Sequence, residues 1–172
     1  HNGTFKFIDF GLSSLLGNIK HFKKRSISEF STSRIYTWYP IEYIFNYANN
    51  KELDIEIKRE EISNLRNGDD LYKEIHKIYN RDYRYILDTC IHRIKSKLIN
   101  DKEMFQKIDI YSLGIMVPSL FLTKSNIQYP FEKTNNKIIK DFYLLCGKMT
   151  EPYYQDRISA KDALKELNKL IN

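Results

Sequence analysis

Between Ile108 and Phe121 the chain carries Ile108, Ile110, Leu113, Ile115, Met116, Val117, Leu120 and Phe121, apolar on nearly every side of a helix. A helix of that kind has no face to offer water, so the other elements must be arranged around it. The apolar stretch from Ile110 to Leu122 is interrupted by Ser112, Gly114 and Pro118. It is also shorter than the roughly 20 residues that a membrane span needs. The pattern predicts the buried central helix of a helical lobe, with Pro118 as a kink or an end.

Two amphipathic stretches follow. Ile138, Ile139, Phe142, Tyr143, Leu145 and Cys146 recur at helical spacing, and Ser159 stands as the cap of a last helix whose stripe is Ala163, Leu164, Leu167 and Leu170. Upstream, Asp69-Asp70 followed by Leu71, Ile75 and Ile78 predicts a capped helix. Tyr83, Ile86, Leu87, Ile91, Ile94 and Leu98 predict a second, ending near Asn100. The charged stretch Glu56 to Arg66 suggests a third, closed by Asn67-Gly68. Residues 5 to 8 read as a strand. Residues 12 to 36, rich in Ser, Lys and Thr, read as a mobile loop.

Hydrophobic residues make up 42% of the 172, enough for a folded domain or part of one rather than a disordered tail. Cys90 and Cys146 are far apart and form no Cys-x-x-Cys pair, which excludes a disulfide framework or zinc site and points to reduced core thiols. No signal-peptide pattern opens the chain, so an intracellular, cytoplasmic location is expected, the host cytoplasm for a viral parent. The net charge is +6, with Lys20, His21, Lys23, Lys24 and Arg25 clustered around Phe22. No nucleic-acid recognition motif accompanies these charges, and a solvated surface or a phosphate-pairing site accounts for them more simply. His76 and His92, on charged helical stretches, read as surface residues. Gly147-Lys148-Met149-Thr150 imitates the end of a phosphate loop, but Phe142 stands where that motif needs glycine.

Asp9-Phe10-Gly11 ends the apolar run Phe5-Lys6-Phe7-Ile8 and puts a carboxylate where a strand breaks into a glycine-freed turn. Pro40-Ile41-Glu42 follows Thr37-Trp38-Tyr39. Asp109-Ile110-Tyr111-Ser112-Leu113-Gly114 opens the central helix, and Asp156-Arg157-Ile158-Ser159 leads into the last one. In this order the four segments resemble a protein kinase of the serine/threonine type, from its Asp-Phe-Gly motif to its C-terminal helix. The resemblance covers most of the chain. Proline stands one place early in the Ala-Pro-Glu equivalent, and tyrosine replaces tryptophan in the central-helix motif.

The resemblance implies a mainly α fold, the C-lobe of a kinase in part, with a short β-hairpin at the N-terminus. Residues 9–42 would be the activation segment and residues 47–104 a helical insertion within the lobe. It implies ATP and Mg2+ as cofactors, with Asp9 holding the metal, Phe10 packing beneath it and Gly11 freeing the turn. Glu42 and Arg157 would form a buried bridge, and removing one partner would cost about 3–5 kcal/mol. Charge reversal of both would restore part of that. Asp109 would brace the catalytic loop. Ser28, Ser31, Thr32, Ser33 and Thr37 are candidate phosphosites beside the basic cluster.

The family's glycine-rich turn, phosphate-pairing lysine and His-Arg-Asp loop all precede Asp-Phe-Gly, and eight residues precede Asp9 here. A fragment is therefore expected, inactive alone and poorly soluble, its missing partner being the N-terminal part of the same domain. The parent would transfer the ATP γ-phosphate to protein hydroxyls, with no nucleic-acid or membrane partner. The alternative implication is a pseudokinase whose lobe serves as a protein-binding scaffold. Asn80-Arg81-Asp82-Tyr83-Arg84 imitates a catalytic loop, but it follows Asp9 and carries Leu87 where the family needs asparagine. It reads as a charged helix surface.

Overall fold

The computed structural model describes residues 70–82, 101–122 and 135–171, together with positions 18, 20, 21, 24, 39, 40, 85, 86, 88, 89, 92 and 93. Among the described residues every regular element is helical: α1 (Asp70–Ile78), α2 (Asp101–Gln106), α3 (Ile108–Leu122), α4 (Lys137–Met149) and α5 (Ala160–Ile171). The mainly α expectation therefore holds, while the expected N-terminal hairpin lies outside the described residues. None of these helices is long and apolar enough to cross a membrane.

The central helix is α3. It packs most extensively on α4, and also receives α1 and α2, while α5 lies against α4. Ile75 of α1 meets Tyr111 and Ile115, all three fully buried. On another side Ile110 joins Leu145, Met149 and Ala163, with Ile158, Leu167 and Leu170 packed against them. Below the start of α3, Met104, Phe105, Ile108, Tyr153 and Tyr154 form a third cluster, against which Tyr39 packs. Burial is not complete all round, as the sequence pattern suggested. Leu113 and Met116 are each 48% exposed. An apolar groove of about 260 Å³ between α3, α4 and α5 is lined by Leu113, Val117, Phe142 and Leu164 among others. Pro118 does not end α3, which continues to Leu122.

Local chemistry sets the boundaries. Asn136 caps α4 by accepting the N–H groups of Ile138 and Ile139 at 3.0 and 3.3 Å. Ser159 caps α5: its Oγ accepts from Asp162 N at 3.1 Å and its hydroxyl donates to the Asp162 carboxylate at 2.6 Å. At the end of α1, Asn80 N donates to Lys77 O and Arg81 N to His76 O, with Asn80 at φ 53°. This double closure needs a left-handed residue, a conformation asparagine tolerates. Asp82 then caps the next helical stretch by accepting Tyr85 N at 3.1 Å. Asn80-Arg81-Asp82 is thus a stop and a start between helices, not the charged helix surface that its composition suggested.

Two further expectations are corrected. Within the stretch read as a loop, Asn18 accepts His21 N through both its side chain and its backbone carbonyl. Lys20, His21 and Lys24 are helical and exposed there. The asparagine cap supplies the nucleus that the Ser/Lys composition concealed. His76, read as a surface residue, is fully buried. The charges of α1 mark only its outer side, and Ile75 and His76 turn inward against α3.

Gly114 sets the α3–α4 contact. A Cβ there would stand 2.7 Å from Met149 Cβ and 2.9 Å from Thr150 Cγ2. Gly114→Ala is expected to cost about 1–3 kcal/mol through overpacking, read as a lowered denaturation midpoint with an unchanged slope. An unchanged midpoint would show that the two helices have room to separate.

Candidate functional site

Arg157 is the residue of the sequence-derived set that the structure places most firmly. It is 2% exposed, in the turn segment that joins α4 to α5. Its Nε donates to Glu151 O at 2.9 Å, one terminal nitrogen to Lys107 O at 3.0 Å and the other to Pro152 O at 3.0 Å. Its guanidinium carbon lies 4.7 Å from the centre of the Tyr111 ring. A buried guanidinium stays charged and must find acceptors for its planar fork. Here main-chain carbonyls from before α3 and after α4 supply them, so Arg157 ties the foot of the central helix to the α4–α5 connection. Lys107 reinforces the tie by donating its Nζ to Tyr154 O at 2.9 Å.

Tyr111 stands between Arg157 and His76. Its hydroxyl lies 3.2 Å from His76 Nε2, both residues being fully buried. The substitution of tyrosine for tryptophan at this place thus joins α1 to the Arg157 side of α3 by a polar contact. Nothing in the periodicity pointed to it, because a histidine inside a charged stretch gives no sign of facing inward.

A second guanidinium, from outside the sequence-derived set, closes the other end of this region. Arg81 donates to Thr150 O at 2.9 Å, to Thr150 Oγ1 at 3.1 Å and to Gly147 O at 2.8 Å, and pairs with the Glu151 carboxylate. These carbonyls belong to the last turn of α4, so Arg81 works as a remote cap for them. Tyr79 lies in the same corner, its ring centroid 5.3 Å from that of Tyr143 and its hydroxyl donating to Tyr143 O at 3.4 Å. Burial, then the neighbouring Tyr143, raises the Tyr79 pKa. Gly147-Lys148-Met149-Thr150, the phosphate-loop imitation, is the end of α4, where Thr150 donates back to Cys146 O at 2.9 Å.

Asp109 is exposed in the first turn of α3, close to the Arg157 tie through Lys107. Asp9, Phe10, Gly11 and Glu42 lie outside the described residues, as do the candidate phosphosites Ser28, Ser31, Thr32, Ser33 and Thr37. Tyr39 and Pro40, just before Glu42, are described: Pro40 is buried, and Tyr39 packs on the cluster containing Tyr153 and Tyr154. Among the described residues no group of three or more His, Cys, Asp or Glu side chains could hold a metal ion. The carbonyl set around Arg157 also revises the charge-reversal expectation. A carboxylate at position 157 would face acceptors only, so exchanging the charges of positions 42 and 157 would not restore stability even across a true pair.

The chain matches no protein-family model, no curated protein and no solved structure.

Two outcomes follow from this geometry. Arg157→Met is expected to cost at least about 3 kcal/mol in chemical denaturation, since three buried carbonyls lose their donor, and Arg157→Lys roughly 1–3 kcal/mol. Equal stability of the three proteins would contradict the tie. Cys146 is a free, buried thiol whose pKa burial pushes up from 9.0 to about 12. The fold therefore favours its protonated form, and this contribution is whole below pH 9 and declines as pH rises from 9 towards 12. Cys146→Ala should flatten the loss of stability over that window. An identical slope in both proteins would remove Cys146 as its source.

Proposed function

We propose that the chain is the larger-lobe portion of a protein serine/threonine kinase, which transfers the γ-phosphate of ATP to protein hydroxyls. The observation that carries this reading is the position of Arg157. It is buried between the foot of the central helix and the α4–α5 connection, where an arginine able to receive Glu42 would have to stand. Tyr39 packs on the cluster formed by α2, Ile108 and the Tyr153-Tyr154 segment, and Pro40 is buried. The end of the proposed activation segment therefore runs close to the proposed anchor. The ordered motifs at positions 9, 40, 109 and 156 supply the rest of the support.

In this reading Asp9 presents the metal-binding carboxylate, Phe10 packs beneath it and Gly11 lets the backbone turn away. The magnesium ion supplies charge neutralisation on the nucleotide phosphates. Phosphoryl transfer asks mainly for positioning and electrostatic stabilisation, and Asp9 contributes by holding its oxygen at a fixed place on the lobe. Asp109 sits at the base of α3 as a support. Lys20, His21 and Lys24 are exposed, which suits them to receive a phosphate on Ser28, Ser31, Thr32, Ser33 or Thr37. The catalytic base belongs to a loop ahead of His1 in this reading, so the 172-residue chain by itself carries out no phosphotransfer.

A double-mutant cycle on the chain tests the reading. Glu42→Gln and Arg157→Lys are each expected to lower stability, and together to show a coupling of about 1–3 kcal/mol. Strict additivity would mean that positions 42 and 157 do not meet, and would overturn the kinase-lobe topology.

A further inference from the structure

Three guanidinium groups converge on one short segment. Arg157 takes the carbonyls of Glu151 and Pro152 from inside. From outside, Arg81 takes the Glu151 carboxylate together with the Thr150 and Gly147 carbonyls. Arg93 donates to the Asp156 carboxylate at 2.7 Å and lies 4.3 Å above the centre of the Tyr153 ring. Glu151 is thus shared, its side chain held by Arg81 and its carbonyl by Arg157, while Asp156 is the immediate neighbour of Arg157. The segment's own main-chain bonds are local turns, Asp156 N to Tyr153 O and Arg157 N to Tyr154 O, with Ile158 N reaching back to Lys148 O. Turns of that kind leave a connection free to shift as a unit unless side chains from elsewhere fix it.

Both outer arginines come from residues 81–93, the stretch that follows α1 and belongs to neither α4 nor α5. We infer that Arg81 and Arg93 are positioning residues that fix the 150–157 segment from outside and so determine where the Arg157 guanidinium stands. The stretch after α1 is then a working brace of the lobe rather than a surface decoration. Anything that binds or displaces the helical residues around Arg93 is felt at the foot of α3. This deepens the kinase reading, and rests on it only for one consequence: the brace would govern how firmly the activation segment is anchored through Glu42.

The test uses the whole chain and no nucleotide. The Nε–H group of Arg157, bonded to Glu151 O, gives a distinct nitrogen-correlated NMR signal, identified as the arginine signal missing from Arg157→Lys. In Arg81→Gln and in Arg93→Gln its hydrogen exchange is expected to accelerate on the order of tenfold, while the Leu167 amide in α5 keeps its protection. Arg81→Lys should behave like Arg81→Gln, because one ammonium cannot span Gly147, Thr150 and Glu151 as a planar fork does. Arg93→Gln loses only a half-exposed pair and so keeps the fold, with side chains 37% and 55% exposed in the parent. An unchanged Arg157 signal in that variant would overturn the inference, as would acceleration matched by Leu167 in every variant. Neither result bears on the coupling of positions 42 and 157, so the two readings fail separately.

Discussion

A permanently charged guanidinium in the interior is the constraint around which the described part of this chain is arranged. Arg157 cannot shed its proton, and its five N–H donors cannot be left dry. The fold meets that demand with backbone rather than with bulk: carbonyls of Lys107, Glu151 and Pro152 converge on the fork, and the Tyr111 ring lies against its face. These acceptors come from two places far apart in sequence. Satisfying one side chain therefore fixes the start of α3 against the connection between α4 and α5. Where hydrophobic contact alone would tolerate sliding, directional bonds to three carbonyls do not.

Around that point, apolar packing and polar capping divide the work. Ile75, Tyr111 and Ile115 join α1 to the central helix, and Ile110, Leu145, Met149 and Ala163 join α3, α4 and α5. The helix ends are settled by Asn136, Ser159 and Asn80, and the last turn of α4 by Arg81 reaching across from beyond α1. Lys148 and Glu166, 2.8 Å apart, add a surface pair between α4 and α5, of small value by comparison.

The parts that were legible in the sequence are those that depend on local periodicity and caps. The run from Ile108, the stripe beginning at Ile138 and the serine at 159 each report their helix directly, because 3.6-residue spacing and an N-cap hydroxyl are written in neighbouring residues. Asp70 to Ile78 was readable for the same reason. What escaped was decided between distant segments. His76 and Arg81 sit in stretches whose charge suggests solvent, yet one lies under Tyr111 and the other on the end of α4. Leu113 and Met116 look like core by composition but face outward, since α1, α2 and α4 cover the other sides of α3. Asn18 closes a helical turn where Ser and Lys had suggested a loop. Of the candidate site, Arg157 was legible as a residue type in a motif. Its carbonyl cage was not, because backbone acceptors leave no trace in side-chain identity.

The contact at Gly114 also limits how the helices can move. Met149 of α4 rests where α3 offers only a hydrogen atom, and one turn away in either direction α3 presents Ile110 or Pro118 instead. Slipping by a helical pitch of about 5.4 Å would drive one of those side chains into the place Met149 now occupies. The missing methyl thus acts as a notch in a key: it admits a single register of α3 on α4, and any concerted motion of this lobe must pivot about that notch rather than shear along it.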